Sequence, residues 1–432
     1  MSARNTLFLV YDQLRADVLR GALAAHVPTP NFDRLAAQSR VYEQHRTAMV
    51  PCGPSRASLL TGLAGPEHGA VMNGFPVKTG TPTLGTELRK HGVEPLLFGY
   101  TDFAGDPALL HPSDPDLRSY EGVAAGFREV VEMRWETGSE WPGWLARQGV
   151  ELPRPWPERF FDLYRSDTGG IRGVPPYDAA QSDTAYLTDR VLEGLEARRD
   201  HPWFAMVTYI RPHPPFVAPA PWNGMVDAAA MPAPTPCPED HPFFDAWHHE
   251  LSNGALFHGF DGRARALRPA QIADLRAVYL GLVAECDHHL GRLLDWLDDT
   301  GQAGSTTVIV TGDHGEMLGD AGLWGKDSIL DPAWRVPLMI RAPELEPGVE
   351  QGLTSSTQIM PMLLDWASGG RGKLDAMPRM EGYIHLSDPA QPTRFGRYVD
   401  CADQPLSATV TWEDGQLRAT FSNQWPDLRS EF

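Results

Sequence analysis

Five short apolar runs, each stopping abruptly at polar residues, limit what this chain can fold into more than any other feature of it. Residues 6–11 run into Asp12-Gln13, residues 95–99 into Tyr100-Thr101, and residues 203–210 into Arg211-Pro212-His213. Residues 306–310 lead to Thr311-Gly312-Asp313-His314, and residues 336–340 lead to Arg341. A run of this kind reads as a strand buried on both faces that meets polar surroundings only where it leaves a sheet. Between the runs lie helical patterns. The longest has apolar residues at 272, 275, 279, 282, 286, 290, 293 and 297, with Gly301 as its stop, and a second carries Leu187, Val191, Leu192 and Leu195. Strands alternating with helices predict an α/β fold, a large mostly parallel mixed sheet sandwiched by helices. Its polar groups should gather outside the carboxyl ends of the strands.

Segments 104–182 and 214–262 are rich in Pro, Trp and Gly with weak periodicity, and are expected to form long excursions over one end of the sheet. From about residue 369 the pattern changes to alternation such as Ala408-Thr409-Val410-Thr411-Trp412. The expected organisation is a catalytic α/β domain over residues 1–368 and a short antiparallel C-terminal subdomain over residues 369–432.

Composition removes several classes of partner. The 37 Lys+Arg against 56 Asp+Glu give a net charge of −19, so nucleic acid and anionic membrane faces, which are held by Lys and Arg, are excluded as expected partners. The 42% hydrophobic and 22% charged content is that of a globular chain rather than a disordered or coiled-coil one. Cys52, Cys237, Cys286 and Cys401 show neither metal-type spacing nor disulfide density. No apolar run approaches the ~20 residues that span a bilayer, nor does the N-terminal run make a signal-peptide core, so a soluble cytoplasmic protein is expected.

The stretch with the most chemistry is Cys52-Gly53-Pro54-Ser55-Arg56-Ala57-Ser58-Leu59-Leu60-Thr61-Gly62. Pro54 suits the first turn of a helix, whose free N–H groups favour an anion, and Arg56 adds a fixed fork of donors. The stretch resembles the signature C-x-P-S-R-x-x-x-L-T-G of the formylglycine-dependent sulfatases of the alkaline phosphatase superfamily. Seven fixed residues match, a coincidence of roughly one in a billion per start position at ~1/20 each.

That resemblance implies an alkaline phosphatase-like fold, and a Cys52 converted to formylglycine by a formylglycine-generating enzyme acting on its segment. The hydrated aldehyde is the nucleophile, and its second hydroxyl lets the product leave without water reaching sulfur or phosphorus. It also implies one divalent ion held by Asp12, Gln13, Cys52, Asp313 and His314. Oxygen donors with one imidazole suit Ca²⁺, Mn²⁺ or Mg²⁺ better than zinc. Arg56, His213 and Lys326 match the positions that bind the transferred group, with His213 or Lys326 protonating the leaving oxygen and His314 completing the catalytic set.

Within the family, Asp12-Gln13, Pro51 to Pro54, Gly99-Tyr100-Thr101, the Arg211 segment and Phe257-His258-Gly259 resemble the phosphonate monoester hydrolases, over roughly residues 5–365. Asn73 and Tyr100 match their substrate-pocket positions. Asp102 replaces a Thr, bringing a carboxylate that disfavours doubly charged esters. The chain also ends without the long tail that helps those enzymes form tetramers, so a homodimer is expected.

The expected function is hydrolysis of small, singly charged anionic esters: sulfate monoesters of the arylsulfatase kind, with phosphonate monoesterase and phosphodiesterase activity. Its alternatives are a primarily phosphonate-directed hydrolase, a choline sulfatase, and a non-catalytic oxyanion- or metal-binding protein with unmodified Cys52. His248-His249 and His288-His289 are adjacent residues whose side chains diverge on a helix, and read as surface or packing residues. His68 has no role fixed by sequence, Cys237, Cys286 and Cys401 read as ordinary thiols, and the Trp-rich stretch 135–161 reads equally as core or as a wall for an aryl group.

Overall fold

The first three strands of the chain already sketch the sheet and its support: β1 (Asn5–Tyr11), β2 (Arg40–Arg46) and β3 (Met49–Val50) precede the cysteine segment. They are followed by β4 (Pro95–Gly99), β5 (Arg128–Glu132), β6 (Phe204–Tyr209), β7 (Thr306–Gly312), β8 (Leu338–Arg341) and β9 (Gly348–Ser355). The computed structural model describes residues 5–135, 138–156, 158–165, 170–236, 266–328, 330–370 and 372–377, and the strand backbone of 381–386, 406–413 and 416–422. All five apolar runs are strands. Eight strands form one sheet in the order β5-β4-β6-β1-β7-β8-β2-β9. Pairing is parallel except where β8 meets β7 and β2, so the expected mostly parallel mixed sheet is present.

Alternation along each strand divides the core in two. Leu7, Leu9 and Tyr11 of β1 enter one cluster with Ala205, Val207, Val308 and Val310; Phe8 and Val10 enter the other with Met206 and Ile309. Helices α1 (Pro30–Ala37), α4 (Asp183–Glu196) and α5 (Pro269–Asp299) cover the first face through Leu35, Leu187, Val191, Leu282 and Leu290. Helices α2 (Cys52–Thr61), α3 (Leu84–Lys90) and α6 (Ile359–Ala367) cover the second through Leu59, Leu60, Leu88 and Leu363. Each such side chain, fully buried, is worth about 1.5–3 kcal/mol. Gly301, at φ +71°, follows the end of α5 in the left-handed conformation that stops a helix.

Three strands carry no apolar run. β5 and β9 are the sheet edges, where half of the side chains meet solvent. β2 lies inside the sheet yet reads Arg-Val-Tyr-Glu-Gln-His-Arg; its buried His45 meets Thr354 Oγ1 of β9 at 3.0 Å through Nδ1, while its Nε2 has no hydrogen-bond partner. The segment 104–182 is therefore more than an excursion, since it returns to the sheet as β5 and forms a helix over Glu140–Arg147. Of segment 214–262, residues from 237 onward lie outside the described residues, as do Cys237, Cys401, His248-His249 and Phe257-His258-Gly259.

Towards the C-terminus, β10 (Glu381–Leu386), β11 (Leu406–Glu413) and β12 (Gln416–Ser422) pair antiparallel. Tyr383 and Ile384 of β10 pair parallel with Met49 and Val50 of β3, two residues before Cys52. Cys286 is buried on the inward face of α5. His289 is buried and His288 exposed, but the two rings do not diverge fully: they meet edge to face at 5.1 Å. No helix among the described residues is long and apolar enough to cross a membrane.

Candidate active site

β1 and β7 are parallel neighbours with Tyr11 opposite Gly312, so the next residues, Asp12 and Asp313, emerge side by side at the carboxyl end of the sheet. The turns beyond them point the carboxylates inward. Gln13 sits at φ +67°, and its N–H, with that of His314, donates to Asp313 Oδ1 at 3.0 and 2.8 Å. The same edge receives Tyr100 from β4 and His213 from beyond β6.

Cys52 is the first residue of the fully buried α2. The neighbouring Gly53 N–H donates to Asn73 Oδ1 at 2.8 Å, and Ser55 Oγ donates to the Asp313 carbonyl at 2.5 Å. The Cys52 sulfur lies 3.1 Å from His314 Nε2 and 3.8 Å from Asp12 Oδ1. His314 Nδ1 is 3.0 Å from the Gly315 carbonyl, to which it donates, so Nε2 is the ring nitrogen that faces Cys52. Asp12, Cys52, Asp313 and His314 thus offer four buried ligand atoms within 4.8 Å of one another.

Charge in this cluster is unbalanced. Burial, and then the adjacent Asp313, push the Asp12 carboxyl up, whereas Asp313 is held low against its own burial by His314 and Arg56. Burial, followed by Asp12, also raises the Cys52 thiol. Two abutting buried carboxylates with an imidazole lone pair form a donor set that fits a hard divalent cation.

Arg56 is spent on the protein. Its Nη2 donates to Asp12 Oδ2 at 2.9 Å, its Nε to Asp313 Oδ2 at 2.9 Å, and its Nη1 to the Tyr100 carbonyl at 3.2 Å. The guanidinium also stacks 4.0 Å from the centre of the Tyr100 ring. Its donors thus face carboxylates and backbone in this structure. Tyr100 likewise donates from its hydroxyl to Asp12 Oδ2 at 2.6 Å. Asp102, at φ +54°, brings Oδ2 to 3.4 Å from Arg56 Nε, while its buried Oδ1 has no hydrogen-bond partner.

Opposite the carboxylates stand Lys326, a cation, and His213, its hydrogen-bonding partner. Lys326 Nζ donates to Gln13 Oε1 at 2.9 Å and lies 2.9 Å from His213 Nε2. Burial opposes the ammonium charge, but Cys52, Asp12 and Asp327 outweigh it and keep Lys326 protonated. His213 is held neutral by burial and by Lys326.

The structure thus brings together all eleven residues singled out from sequence. It adds others that sequence reasoning missed. Glu316 accepts from the Gln13 side-chain amide and, through Oε1, from the N–H groups of Leu318 at 3.0 Å and Gly325 at 2.6 Å, fastening the loop that delivers Lys326. Its place two residues after His314 was the available signal. Arg211 donates to the His213 carbonyl at 3.0 Å and pairs with Asp183 at 3.1 Å. His68 is a packing residue, taking Ala70 N–H on Nδ1 at 3.1 Å and meeting Ser58 Oγ at 3.0 Å through Nε2.

Comparison with known proteins agrees with this geometry. Residues 4–370 match the family described as Sulfatase. The chain belongs to the sulfatase family. This sulfatase is 37% identical over 385 residues to the multifunctional alkaline phosphatase superfamily protein PehA of Trinickia caryophylli, spanning 85% of this chain and 74% of that protein. It is 27% identical to the choline-sulfatase of Rhizobium meliloti over 84% of this chain and 67% of that one. Among solved structures, the phosphonate monoester hydrolase SpPMH from Silicibacter pomeroyi superposes with a TM-score of 0.85 at 37% identity, covering 97% of this chain and 88% of its own. The sheet described above is accordingly the alkaline phosphatase-like fold, and the chain is a hydrolase of sulfate or phosphonate esters.

Proposed function

We propose that this sulfatase hydrolyses small, singly charged esters, namely sulfate monoesters together with phosphonate monoesters and phosphodiesters, using formylglycine formed from Cys52. The observation that carries the reading is the placement of the Cys52 sulfur 3.1 Å from His314 Nε2 within a buried Asp12, Asp313 and His314 set. Lys326 and His213 face it from the opposite wall.

Asp12, Asp313, His314 and side chain 52, with Gln13 beside them, would hold one Ca²⁺, Mn²⁺ or Mg²⁺ ion, which supplies positive charge to the nucleophile and the transferred group. Formylglycine supplies a hydroxyl to attack and a second whose deprotonation frees the product. The chain's own residues do the remainder. Arg56 and Tyr100 fix the Asp12 carboxylate, and Asn73 fixes the backbone at Gly53. Lys326 presents a proton to the departing oxygen and balances the charge developing there, with His213 holding the ammonium in place.

Sulfate and phosphonate monoesters share one negative charge around a tetrahedral centre, so one cationic wall serves both transition states. The likeness to PehA and to the phosphonate monoester hydrolase supports activity toward phosphorus esters, and the likeness to choline-sulfatase supports sulfate. The test is mass spectrometry of the peptide containing residue 52, combined with rates on phenyl sulfate, a phenyl phosphonate monoester and choline sulfate. Turnover that depends on modified residue 52 and vanishes in Cys52→Ala is expected. Full activity in Cys52→Ala overturns the nucleophile, and unmodified Cys52 without turnover leaves an oxyanion-binding protein.

A further inference from the structure

Trp135 packs against His213, the partner of the candidate proton donor Lys326, and is held there from two sides. It follows β5 at the edge of the sheet, its N–H donates to the buried Glu121 at 2.5 Å, and the preceding Arg134 donates to the Gly99 carbonyl at 3.1 Å. Its ring meets the His213 ring edge-on at a centroid distance of 4.9 Å, and on another side meets Phe161 at 4.9 Å. Phe161 belongs to a short 3-10 helix, Phe160–Tyr164, whose other two aromatics are buried: Phe160 packs into the core and Tyr164 lies under the Arg211 guanidinium at 4.6 Å. Phe161 itself is 36% exposed, the one aromatic among the exposed large apolar side chains of the described residues.

From this we infer that Phe161, backed by the buried Trp135, forms an aromatic ledge that receives the leaving group, and that the ledge selects an uncharged aryl alcohol over a small alkyl or a cationic one. The inference rests on the ester-hydrolase reading and names the substrate class for it. The departing oxygen must face Lys326 and His213; the ring packed on His213 is the buried Trp135, and the ring packed on Trp135 is the partly exposed Phe161. An aryl group stacked there gains ring contact that an alkyl group cannot supply. A quaternary ammonium also favours aromatic faces, but here it would approach Lys326, 2.9 Å from His213, and the repulsion opposes it.

Because Phe161 is exposed, Phe161→Ala leaves the fold and the reacting groups in place. The experiment compares wild type, Phe161→Ala and Phe161→Tyr on phenyl sulfate, ethyl sulfate and choline sulfate, as kcat/KM or as competitive Ki where turnover is slow. Phe161→Ala is expected to lose ~3–10-fold on phenyl sulfate, chiefly through KM, less than ~2-fold on ethyl sulfate, and to recover in Phe161→Tyr. Equal losses on all three esters, no loss on phenyl sulfate, or the largest loss on choline sulfate would each overturn the ledge. Wild-type protein that turns over none of the three, nor a phenyl phosphonate monoester or a phosphodiester, overturns the ester-hydrolase reading instead, which separates the two failures.

Discussion

His213 Nε2 lies 2.9 Å from Lys326 Nζ, and Nδ1 of the same ring lies 2.7 Å from the carbonyl oxygen of Pro214. A carbonyl only accepts, so Nδ1 carries the imidazole proton and Nε2 accepts from the ammonium. The labile proton of the pair therefore resides on Lys326. Lys326→Met should lower turnover of phenyl sulfate by ~10²–10⁴, and His213→Asn by less, since the ammonium survives it. Both losses should shrink for a 4-nitrophenyl ester, whose oxygen departs without a proton. Steady-state rates across phenols of graded acidity check this, and losses independent of leaving-group acidity would remove Lys326 as the donor.

Arg56 is fully buried among Asp12, Asp313 and Asp102, so it is the counter-charge that lets those carboxylates stay together. Lysine cannot reach two carboxylates in the same fork. Arg56→Lys should destabilise the protein by about 3–5 kcal/mol, and a divalent ion should return part of that loss. Thermal melts with and without added Ca²⁺ or Mn²⁺ measure both terms. An unchanged melting temperature would argue that the carboxylates do not need the guanidinium.

Asp102 places a carboxyl near the reacting centre, its Oδ2 3.4 Å from Arg56 Nε and its buried Oδ1 without a hydrogen-bond partner; burial pushes this carboxyl up and Arg56 opposes the rise, so it repels an ester only where it is ionised. Repulsion from it grows with the charge on the ester. Asp102→Asn should therefore raise the rate on a dianionic phosphate monoester, relative to that on a sulfate monoester, by ~10-fold. If the ratio of the two rates stays where it was, Asp102 does not select by charge.

Glu285 on α5 is fully buried, and burial, with Asp183 adding to it, raises its carboxyl from 4.5 to about 8. Between those values the folded protein holds a proton that the unfolded chain releases. Stability from this group is thus complete below about pH 4.5 and falls with rising pH at about 1.4 kcal/mol per unit until about pH 8. Glu285→Gln should remove that fall, so its advantage in urea midpoint over wild type should widen from pH 5 to pH 8. A constant difference across the range would mean that Glu285 is ionised in the fold.

Much of this was legible before any coordinates. The five apolar runs mark the strands that are buried on both faces, and the polar residues ending them mark one end of the sheet. β2, β5 and β9 were not legible, because edge strands share their faces with solvent and because β2 buries the polar residues His45 and Arg46 within the sheet. Asp12, Cys52, Asp313 and His314 could be found because strand ends and the cysteine segment label them. The true orientation of Arg56 could not, since sequence shows a donor fork but not which acceptors fill it. Trp135 was undecidable for a similar reason: its rings of contact depend on where β5 joins the sheet.

The register of β1 against β7 divides what can change in this protein from what cannot. Asp12 and Asp313 stand together only because Tyr11 and Gly312 are opposite each other. One residue inserted in either strand would shift a carboxylate by ~3.3 Å and turn it to the other face. Trp135, Asp102 and Lys326 come from loops and Phe161 from a short 3-10 helix, outside the central sheet, where insertions leave that register intact. Laboratory evolution toward new esters should therefore accumulate its substitutions in the loops, while β1 and β7 accept hardly any.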